Sequence, residues 1–242
     1  VTHEAILASH REATWKTLSA VQSTVLVLYD ATELDYTTHL SLDDLGQIGN
    51  GQHRGYIVQN SLAVDPETRQ VLGLCNQVLH CRATVPDGET IAQKRERESR
   101  ESLLWLKGTE PLPASRQLVD VCDQGADTFE FLEQEVNSGR RFVIRAAYDR
   151  GILIGHGEAS TCQASYLRSY AMELPEAGRW ILSVTSKVDL KSPKRKGKKA
   201  NIKRTARNAE LAVAFAPVQI KPPGKKSGKH GNTPLKVWVV RV

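Results

Sequence analysis

Two aspartates follow two apolar runs that lie 93 residues apart in the chain. Asp30 comes directly after the run Val25 to Tyr29, and Asp123 comes directly after the run "LVDVC". Runs of this kind predict strands that are buried on both faces, and the carboxyl ends of such strands are where ligands bind in open α/β sheets. If the two strands are parallel neighbours, both carboxylates point into the same crevice.

A close pair of carboxylates without a basic neighbour favours a divalent cation, because two unpaired anions otherwise repel each other or share a proton. A pair of Mg²⁺ ions activates a water or a 3′-hydroxyl and stabilises the leaving oxygen of a phosphoryl transfer. The alternative for Asp30 is a turn-forming role, in which its carboxylate bonds the adjacent backbone. Asp127 has a different explanation, because Asp127 and Glu130 form the pattern of a capping box at the start of a helix.

Basic charge is concentrated in the last quarter of the chain. Residues 187–242 contain 16 Lys and Arg against 2 Asp and Glu, whereas residues 1–186 contain 17 against 25. A block of this kind neutralises phosphates, so it predicts a nucleic-acid partner; the alternative is a solvated basic loop. The candidate DNA-binding residues are Lys194, Arg195, Lys196, Lys198, Lys199, Lys203, Arg204 and Arg207.

The remaining patterns predict the elements that must position these residues. Residues 1–20 indicate a helix, and residues 54–82 indicate a hairpin around the turn "DPET" that extends the sheet begun at Val25. Residues 91–108 have the composition of one helix, with Gly108 directly after its end. The segment "RRFVIRAAY" predicts another strand, and from about residue 150 short strand-like runs without a helical period indicate a β-rich appendage.

Composition excludes several classes of protein. The apolar fraction of 40% and the charged fraction of 25% are ordinary for a globular chain, and no apolar stretch approaches the ~18 residues needed to span a bilayer. The four cysteines form no CxxC pair, which predicts reduced and mostly buried thiols. We therefore expect a cytoplasmic protein with no membrane partner. The first residue is Val and the chain stops in a strand-like run, so we expect it to be a piece of a longer protein.

Several segments together resemble a known family. "YDATELDYT", "DVCDQGADTFEFL" and "RRFVIRAAYDR" resemble the DDE transposases of bacterial insertion sequences, in the cut-and-paste group that forms a hairpin at the transposon end. "ESLLWLKG" and "HRGYIVQNSLAVD" also look like segments of that family. The resemblance covers about residues 20–150 and continues more weakly to residue 242.

The resemblance implies an α/β fold, namely a ribonuclease H-like mixed sheet with flanking helices followed by a partial β-rich insertion domain. Residues 1–20 would end a missing N-terminal region, residues 21–149 would form part of the catalytic core, and residues 150–242 would form part of a Lys-rich insertion. Asp30 and Asp123 match the first two catalytic, metal-binding acids. The implied cofactor is Mg²⁺, with two ions in the complete site and Mn²⁺ as a substitute. The implied partners are transposon ends and target DNA, bound by a homodimer associated with the bacterial nucleoid.

Some positions depart from the family pattern. Ala31 replaces a usual Thr, and Gln124 and Gly125 replace an Arg-Glu pair, a change expected to weaken DNA contacts. The family's third acid, a Glu within a "Y..RW.IE" signature, has no counterpart: Glu158, Glu173 and Glu210 lie in other contexts. Trp238 does not match the family's base-stacking Trp. We therefore expect a transposase fragment with little or no nicking and joining activity of its own.

Two alternatives remain open at this stage. In the first, the chain is a non-catalytic DNA-binding remnant that acts through basic residues 187–229. Its DNA binding would then be indifferent to sequence and steeply dependent on salt. In the second, which the "CDQGAD" segment and the appendage make weaker, the chain is a host nuclease of the ribonuclease H-like type.

Overall fold

The computed structural model describes residues 2–49, 51–85, 87–113, 115, 117–155, 163–186, 205–224 and 228–242. The chain has a mixed α/β fold with two sheets and several helices. It divides into two compact units. Unit 1 comprises Val1–Asp149 and Lys221–Leu235, and unit 2 comprises Arg150–Ile220 and Lys236–Val242.

Unit 1 is built on a six-stranded sheet. Its strands are β1 (Val25–Asp35), β2 (Gly46–Ile48), β3 (His53–Val64), β4 (Val71–His80), β5 (Leu118–Cys122) and β6 (Arg141–Ile144). Strand β3 pairs antiparallel with β1 on one side and with β2 and β4 on the other. Strand β5 runs parallel to β1, and β6 runs parallel to β5. The two apolar runs of the sequence are therefore parallel neighbours at the centre of the sheet.

Strand β1 differs in two ways from the fully buried strand that the sequence predicts. Val25, Val27 and Tyr29 are buried, but the alternate residues Leu26 and Leu28 are only half-buried. The strand also continues past Asp30 to its last residue, Asp35, because β3 still pairs with it there. Asp30 therefore lies inside a strand, at the point where the β5 partner ends, and the expectation that it terminates the strand is wrong.

The predicted hairpin is confirmed as β3 and β4. Asp65 closes its turn: the carboxylate accepts hydrogen bonds from the backbone N–H of Glu67 at 2.9 Å and from the hydroxyl of Thr68 at 2.9 Å. Arg69 adopts a φ of 62°, a left-handed conformation that turns the chain back into β4.

The helices of unit 1 are α1 (His3–Ser19), α2 (Ile91–Glu96), α3 (Leu104–Thr109) and α4 (Phe129–Asn137). The predicted helix over residues 1–20 is confirmed, whereas the single helix over residues 91–108 is wrong. That segment breaks after α2 because Arg97 and Arg100 adopt extended backbone conformations, and a short 3-10 turn then leads into α3. Gly108 lies within α3. A Cβ atom there would lie 3.4 Å from the ring of Tyr29, an ordinary van der Waals contact, so this turn of α3 packs against β1.

The main core of unit 1 lies on the Tyr29 face of the sheet. It combines β1, β3, β4 and β5 with residues from α1 and α4 and from the turns between elements. Its buried members are Leu18, Val25, Val27, Tyr29, Ala63, Cys75, Leu112, Leu118, Cys122, Ala126 and Phe131. Cys75 and Cys122 are free buried thiols as predicted, but Cys81 is exposed, and Cys162 lies outside the described residues.

Unit 2 contains a second sheet of five strands. They are β7 (Gly151–Ile154), β8 (Gln163–Tyr166), β9 (Gly178–Val184), β10 (Arg207–Ile220) and β11 (Leu235–Arg241), in the order β11-β10-β7-β8 with β9 also on β10. The three strand-like runs of the sequence are confirmed as β9, β10 and β11. The expectation that no helix follows residue 150 is wrong, because α5 spans Leu167–Glu173.

The longest of the described helices, α1, has 17 residues. In the parts of the chain that the structure describes, no helix is both long and apolar enough to cross a membrane.

Candidate metal and nucleic-acid site

The register of β1 and β5 brings the two candidate acids to the same level of the sheet. The last paired residues are Tyr29 and Cys122, so Asp30 and Asp123 are the next residue on each strand. Neighbouring strands lie about 4.8 Å apart, and residues at the same level of a parallel pair point to the same face. Both aspartates are exposed. Asp30 and Asp123 are therefore adjacent and open to solvent on the face opposite Tyr29.

Local backbone geometry orients each carboxylate. Asp123 caps the 3-10 turn Gln124–Ala126, and its Oδ1 accepts the Gly125 N–H at 2.8 Å. Asp30 Oδ1 accepts the Ala31 N–H at 3.0 Å. Each Oδ2 atom has no hydrogen-bond partner among the described residues. The backbone contacts agree with a structural role for both residues, and they leave one oxygen of each carboxylate available to a ligand.

These oxygens fit a divalent cation of the Mg²⁺ type, which prefers one or two carboxylates and fills its other positions with water or phosphate oxygens. The described residues contain no group of three or more His, Cys, Asp or Glu that is arranged to hold a metal. Asp30 and Asp123 can therefore supply only part of a coordination shell.

The same level of the sheet carries polar residues on the flanking strands. Asp30 pairs with Asn60 of β3, and Asn60 pairs with Gln77 of β4. On the other side, Cys122 pairs with Ile144, so the next residues, Asp123 and Arg145, are also level. We term this set the polar row; it runs across β4, β3 and β1 and past the ends of β5 and β6, and its members are Gln77, Asn60, Asp30, Asp123 and Arg145.

Hydrogen bonds fix one end of the polar row. Gln77 Nε2 donates to Asn60 Oδ1 at 2.7 Å, and Gln77 Oε1 lies 3.0 Å from His3 Nε2. The oxygen of Asn60 is therefore engaged, and its NH₂ group is left as a donor. Sequence reasoning missed Asn60 and Arg145. The sequence could have indicated Arg145, because "VIR" places it directly after an apolar run, as "VCD" places Asp123. It could not have indicated Asn60, because the level of Asn60 in the sheet depends on the strand pairing.

Asp127 is not a helix cap, contrary to the sequence prediction. Thr128 caps α4 through its hydroxyl, which accepts the Phe131 N–H. The buried Asp127 carboxylate instead accepts the backbone N–H groups of Ala147 at 2.7 Å and Tyr148 at 3.1 Å. Its role is to tie the chain after β6 to the start of α4.

Glu130, the other half of the predicted capping box, forms a buried ion pair. Arg100 donates to it in a bidentate arrangement, with N–O distances of 2.8 and 3.1 Å. The side chains of Arg100 and Glu130 are only 4% and 9% exposed. This pair joins the broken helical segment to α4, and it explains why Arg100 departs from helical geometry.

A second pair of acids lies on the opposite, buried face of unit 1. Asp120 of β5 accepts a hydrogen bond from the Tyr29 hydroxyl at 2.9 Å and lies 3.8 Å from Arg140. Glu135 of α4 is fully buried beside it. Burial, followed by the charge of Asp120, raises the pKa of Glu135 to about 8, and burial also raises the pKa of Asp120. Glu135 therefore holds a proton at neutral pH.

Gly125 is explained by close packing after β5. A Cβ atom at this position would lie 2.6 Å from Cζ2 of Trp105. Because the Gly125 N–H also donates to Asp123, the tight turn and the orientation of the acid depend on the same residue.

Seven of the eight basic candidates, Lys194, Arg195, Lys196, Lys198, Lys199, Lys203 and Arg204, lie outside the described residues. Arg207 is exposed and begins β10. Glu158 also lies outside the described residues, Glu173 ends α5, and Glu210 of β10 accepts a hydrogen bond from Arg179 at 3.1 Å. Trp238 of β11 is 64% exposed, and its ring centroid lies 5.9 Å from that of Phe215.

No protein-family model matches the chain. Among solved structures, the chain is similar to part of the piggyBac transposase in a cryo-EM structure of its synaptic complex with hairpin DNA. The identity is 10% and the TM-score is 0.32. The match covers 98% of this chain and 40% of the piggyBac chain, so the chain spans less than half of that protein's length.

Proposed function

We propose that the protein contributes to Mg²⁺-dependent phosphoryl transfer on DNA, as a DDE transposase that nicks and joins strands at transposon ends. The observation that carries the proposal is the placement of Asp30 and Asp123 at one level of two parallel strands, exposed on one face. Paired exposed carboxylates at the level where the parallel pairing of two neighbouring strands ends are suited to a divalent cation.

The strand arrangement of unit 1 supports a ribonuclease H-like core. The order places three antiparallel strands, β1, β3 and β4, beside two strands, β5 and β6, that run parallel to β1. We assign residues 21–149 to that catalytic core and residues 150–242 to a β-rich insertion. Within the second range, Lys221–Leu235 packs with unit 1.

Asp30 and Asp123 would hold the cation through the oxygens that the backbone leaves available. A Mg²⁺ ion held there would supply activation of a water or 3′-hydroxyl and stabilisation of the leaving oxygen. The protein's contribution is to fix the two carboxylates: the Gly125 and Ala31 amides orient one oxygen of each. The DNA partners would be transposon ends and target DNA, bound by a homodimer.

Metal binding tests the carboxylate assignment. Mn²⁺ affinity, measured by electron paramagnetic resonance, should fall at least tenfold in Asp30→Asn and in Asp123→Asn. The matched control is Asp35→Asn, because Asp35 is exposed on the same strand but is engaged by Thr37 and His53. Unchanged Mn²⁺ affinity in both site variants would contradict the proposal.

The link between the metal and DNA has its own test. Ca²⁺ should raise the affinity of the wild-type chain for a DNA duplex without supporting turnover, because Asp30 and Asp123 would hold a cation whose charge attracts the DNA backbone. Asp30→Asn should lose this gain and keep the affinity measured in EDTA. A Ca²⁺ effect of equal size in both proteins would show that the cation acts elsewhere.

A second candidate function is DNA binding without catalysis through basic residues 187–229. The observation in its favour is the excess of 16 basic over 2 acidic residues in 187–242. Contact with ~6 phosphates would lower the affinity by about 10³ between 50 and 200 mM salt. Deletion of residues 187–242 would then abolish binding, and Asp30→Asn would have no effect with or without Ca²⁺.

A further inference from the structure

The polar row offers hydrogen-bond donors on both sides of the acid pair. Next to Asp30 lies the Asn60 amide, and next to Asp123 lies Arg145. Continued by one residue past the last pairs of β5 and β6, the strand registers bring all four residues to one level of the sheet. The row therefore differs from an isolated acidic cluster. The hydrogen-bond donors Asn60 and Arg145 at its two sides suit anions, and the two acids between them suit a cation.

Arg145 is poised for an external anion. It is the first residue after β6, it is exposed, and its backbone N–H donates to the Cys122 carbonyl at 3.2 Å, which anchors its Cα beside the end of β5. Its guanidinium makes no hydrogen bond or ion pair with any described residue. A guanidinium offers five N–H donors in a planar fork that matches the oxygens of a phosphate.

The orientation of Asn60 is set by its neighbours. Its Oδ1 accepts from Gln77 Nε2, and His3 contacts the oxygen of the same Gln77 side chain. The chain of contacts places the acceptor of Asn60 toward β4 and its NH₂ group away from β4. A group with its oxygen engaged is a poor metal ligand, and its remaining donors suit a phosphate oxygen.

We propose that Asn60 and Arg145 bind the DNA backbone on either side of the metal site proposed at Asp30 and Asp123. This inference rests on the proposed function and adds two phosphate-binding residues to it. From Asn60 to Arg145 the row crosses three gaps between strands, about 14 Å at 4.8 Å per gap. Measured along the axis of a DNA duplex, in which each strand carries one phosphate per 3.4 Å, that length corresponds to about four nucleotides of one strand. The DNA strand would therefore cross the β-strands along the row.

The test uses the whole chain and a single-stranded hexanucleotide in Ca²⁺, with affinity measured by fluorescence anisotropy. Arg145→Gln is compared with Lys16→Gln, which removes the same charge from an exposed position. Lys16 lies about 20 Å along α1 from His3, the helix residue that contacts Gln77 of the polar row. Asn60→Leu is compared with Asn137→Leu, at an exposed position at the end of α4. Mn²⁺ affinity is measured on the same proteins.

We expect Arg145→Gln to weaken hexanucleotide binding at least tenfold and to reduce the slope of log affinity against log salt by about one, as the loss of one phosphate contact requires. Asn60→Leu should weaken binding several-fold. Both variants should keep the Mn²⁺ affinity of the wild type, and both controls should bind the hexanucleotide normally.

Two other results are distinguishable from this one. If Arg145→Gln and Asn60→Leu bind the hexanucleotide like their controls while Asp30→Asn loses Mn²⁺, the backbone-binding row is wrong and the metal site stands. If Asp30→Asn keeps its Mn²⁺ affinity, the proposed function fails, and the loss of hexanucleotide affinity in Arg145→Gln still decides whether the row binds DNA.

Discussion

Unit 1 contains two pairs of neighbouring acidic residues, and the two pairs differ in environment. Asp30 and Asp123 are exposed on one face of the sheet, whereas Asp120 and Glu135 are buried on the other. Asp120 and Asp123 are only three residues apart, so the alternation along β5 and the turn after it separate the two environments. The comparison shows how burial decides what a pair of carboxyl groups does.

The buried pair is stabilised from within the protein. Arg140 and Tyr29 face Asp120, and Glu135 keeps its proton because burial penalises its charged form. Among the residues that the structure describes, the exposed pair has two backbone amides as its hydrogen-bond partners. Water and cations reach it directly. The buried pair is therefore a structural element, and the exposed pair is the candidate for chemistry.

The largest expected effect on stability comes from disrupting the buried pair. Arg140→Met removes the cation beside Asp120 and the donors to the carbonyls of Thr109 and Leu112, each at 2.7 Å. Removal of one partner from a buried charged group costs about 3–5 kcal/mol, so we expect a loss of that size in the free energy of unfolding measured with urea. Arg145→Met is the matched control, because Arg145 is exposed, and it should change stability by less than about 0.5 kcal/mol. Equal effects of the two substitutions would contradict the distinction.

The sequence predicts much of this framework but not the buried pair. Apolar runs predict β1 and β5, and the resemblance selects Asp30 and Asp123. Asp120 is hidden inside the apolar run "LVDVC", where nothing in the sequence distinguishes a buried acid from a surface one. Its neutral partner, Glu135, becomes evident only when α4 packs on the sheet. The break at Arg100 is missed for the same reason, since its partner Glu130 is 30 residues away in the chain.

A second prediction concerns the dependence of stability on pH. Because the folded-state pKa of Glu135, about 8, lies above its ordinary value of 4.5, the native state holds a proton that the unfolded state has released. Stability from this group is complete below about pH 4.5 and is lost as the pH rises toward 8. For one proton, the free energy of unfolding falls by about 1.4 kcal/mol per pH unit, which amounts to about 2 kcal/mol between pH 6 and 7.5.

Glu135→Gln keeps a neutral donor near Asp120 and Arg140 and should flatten this dependence of stability on pH. Urea denaturation at the two pH values measures it, with Glu12→Gln on the exposed side of α1 as the control. The account of the buried pair is wrong if Glu135→Gln and wild type lose stability equally between pH 6 and 7.5.

The smallest expected effect on stability comes from the exposed pair. Asp30→Asn and Asp123→Asn remove charges that solvent already screens, and each amide retains an oxygen that accepts the same backbone N–H. We expect changes of less than about 0.5 kcal/mol in the free energy of unfolding in EDTA. In Mn²⁺ the wild type should become more stable than either variant, because a ligand that binds only the folded state stabilises it. Thermal unfolding with and without Mn²⁺ gives both values, and a loss of several kcal/mol in EDTA would assign these residues a structural role.

Cleavage of the polypeptide by bound Fe²⁺ tests the central claim most directly, because iron that replaces Mg²⁺ generates radicals that cut the backbone nearest to the ion. With ascorbate and peroxide, the account predicts cuts at two places far apart in sequence, beside Asp30 and beside Asp123. Excess Mg²⁺ should suppress both cuts together, and either Asp30→Asn or Asp123→Asn should remove both. Cuts beside only one of the two residues, or at neither, would contradict a shared metal site.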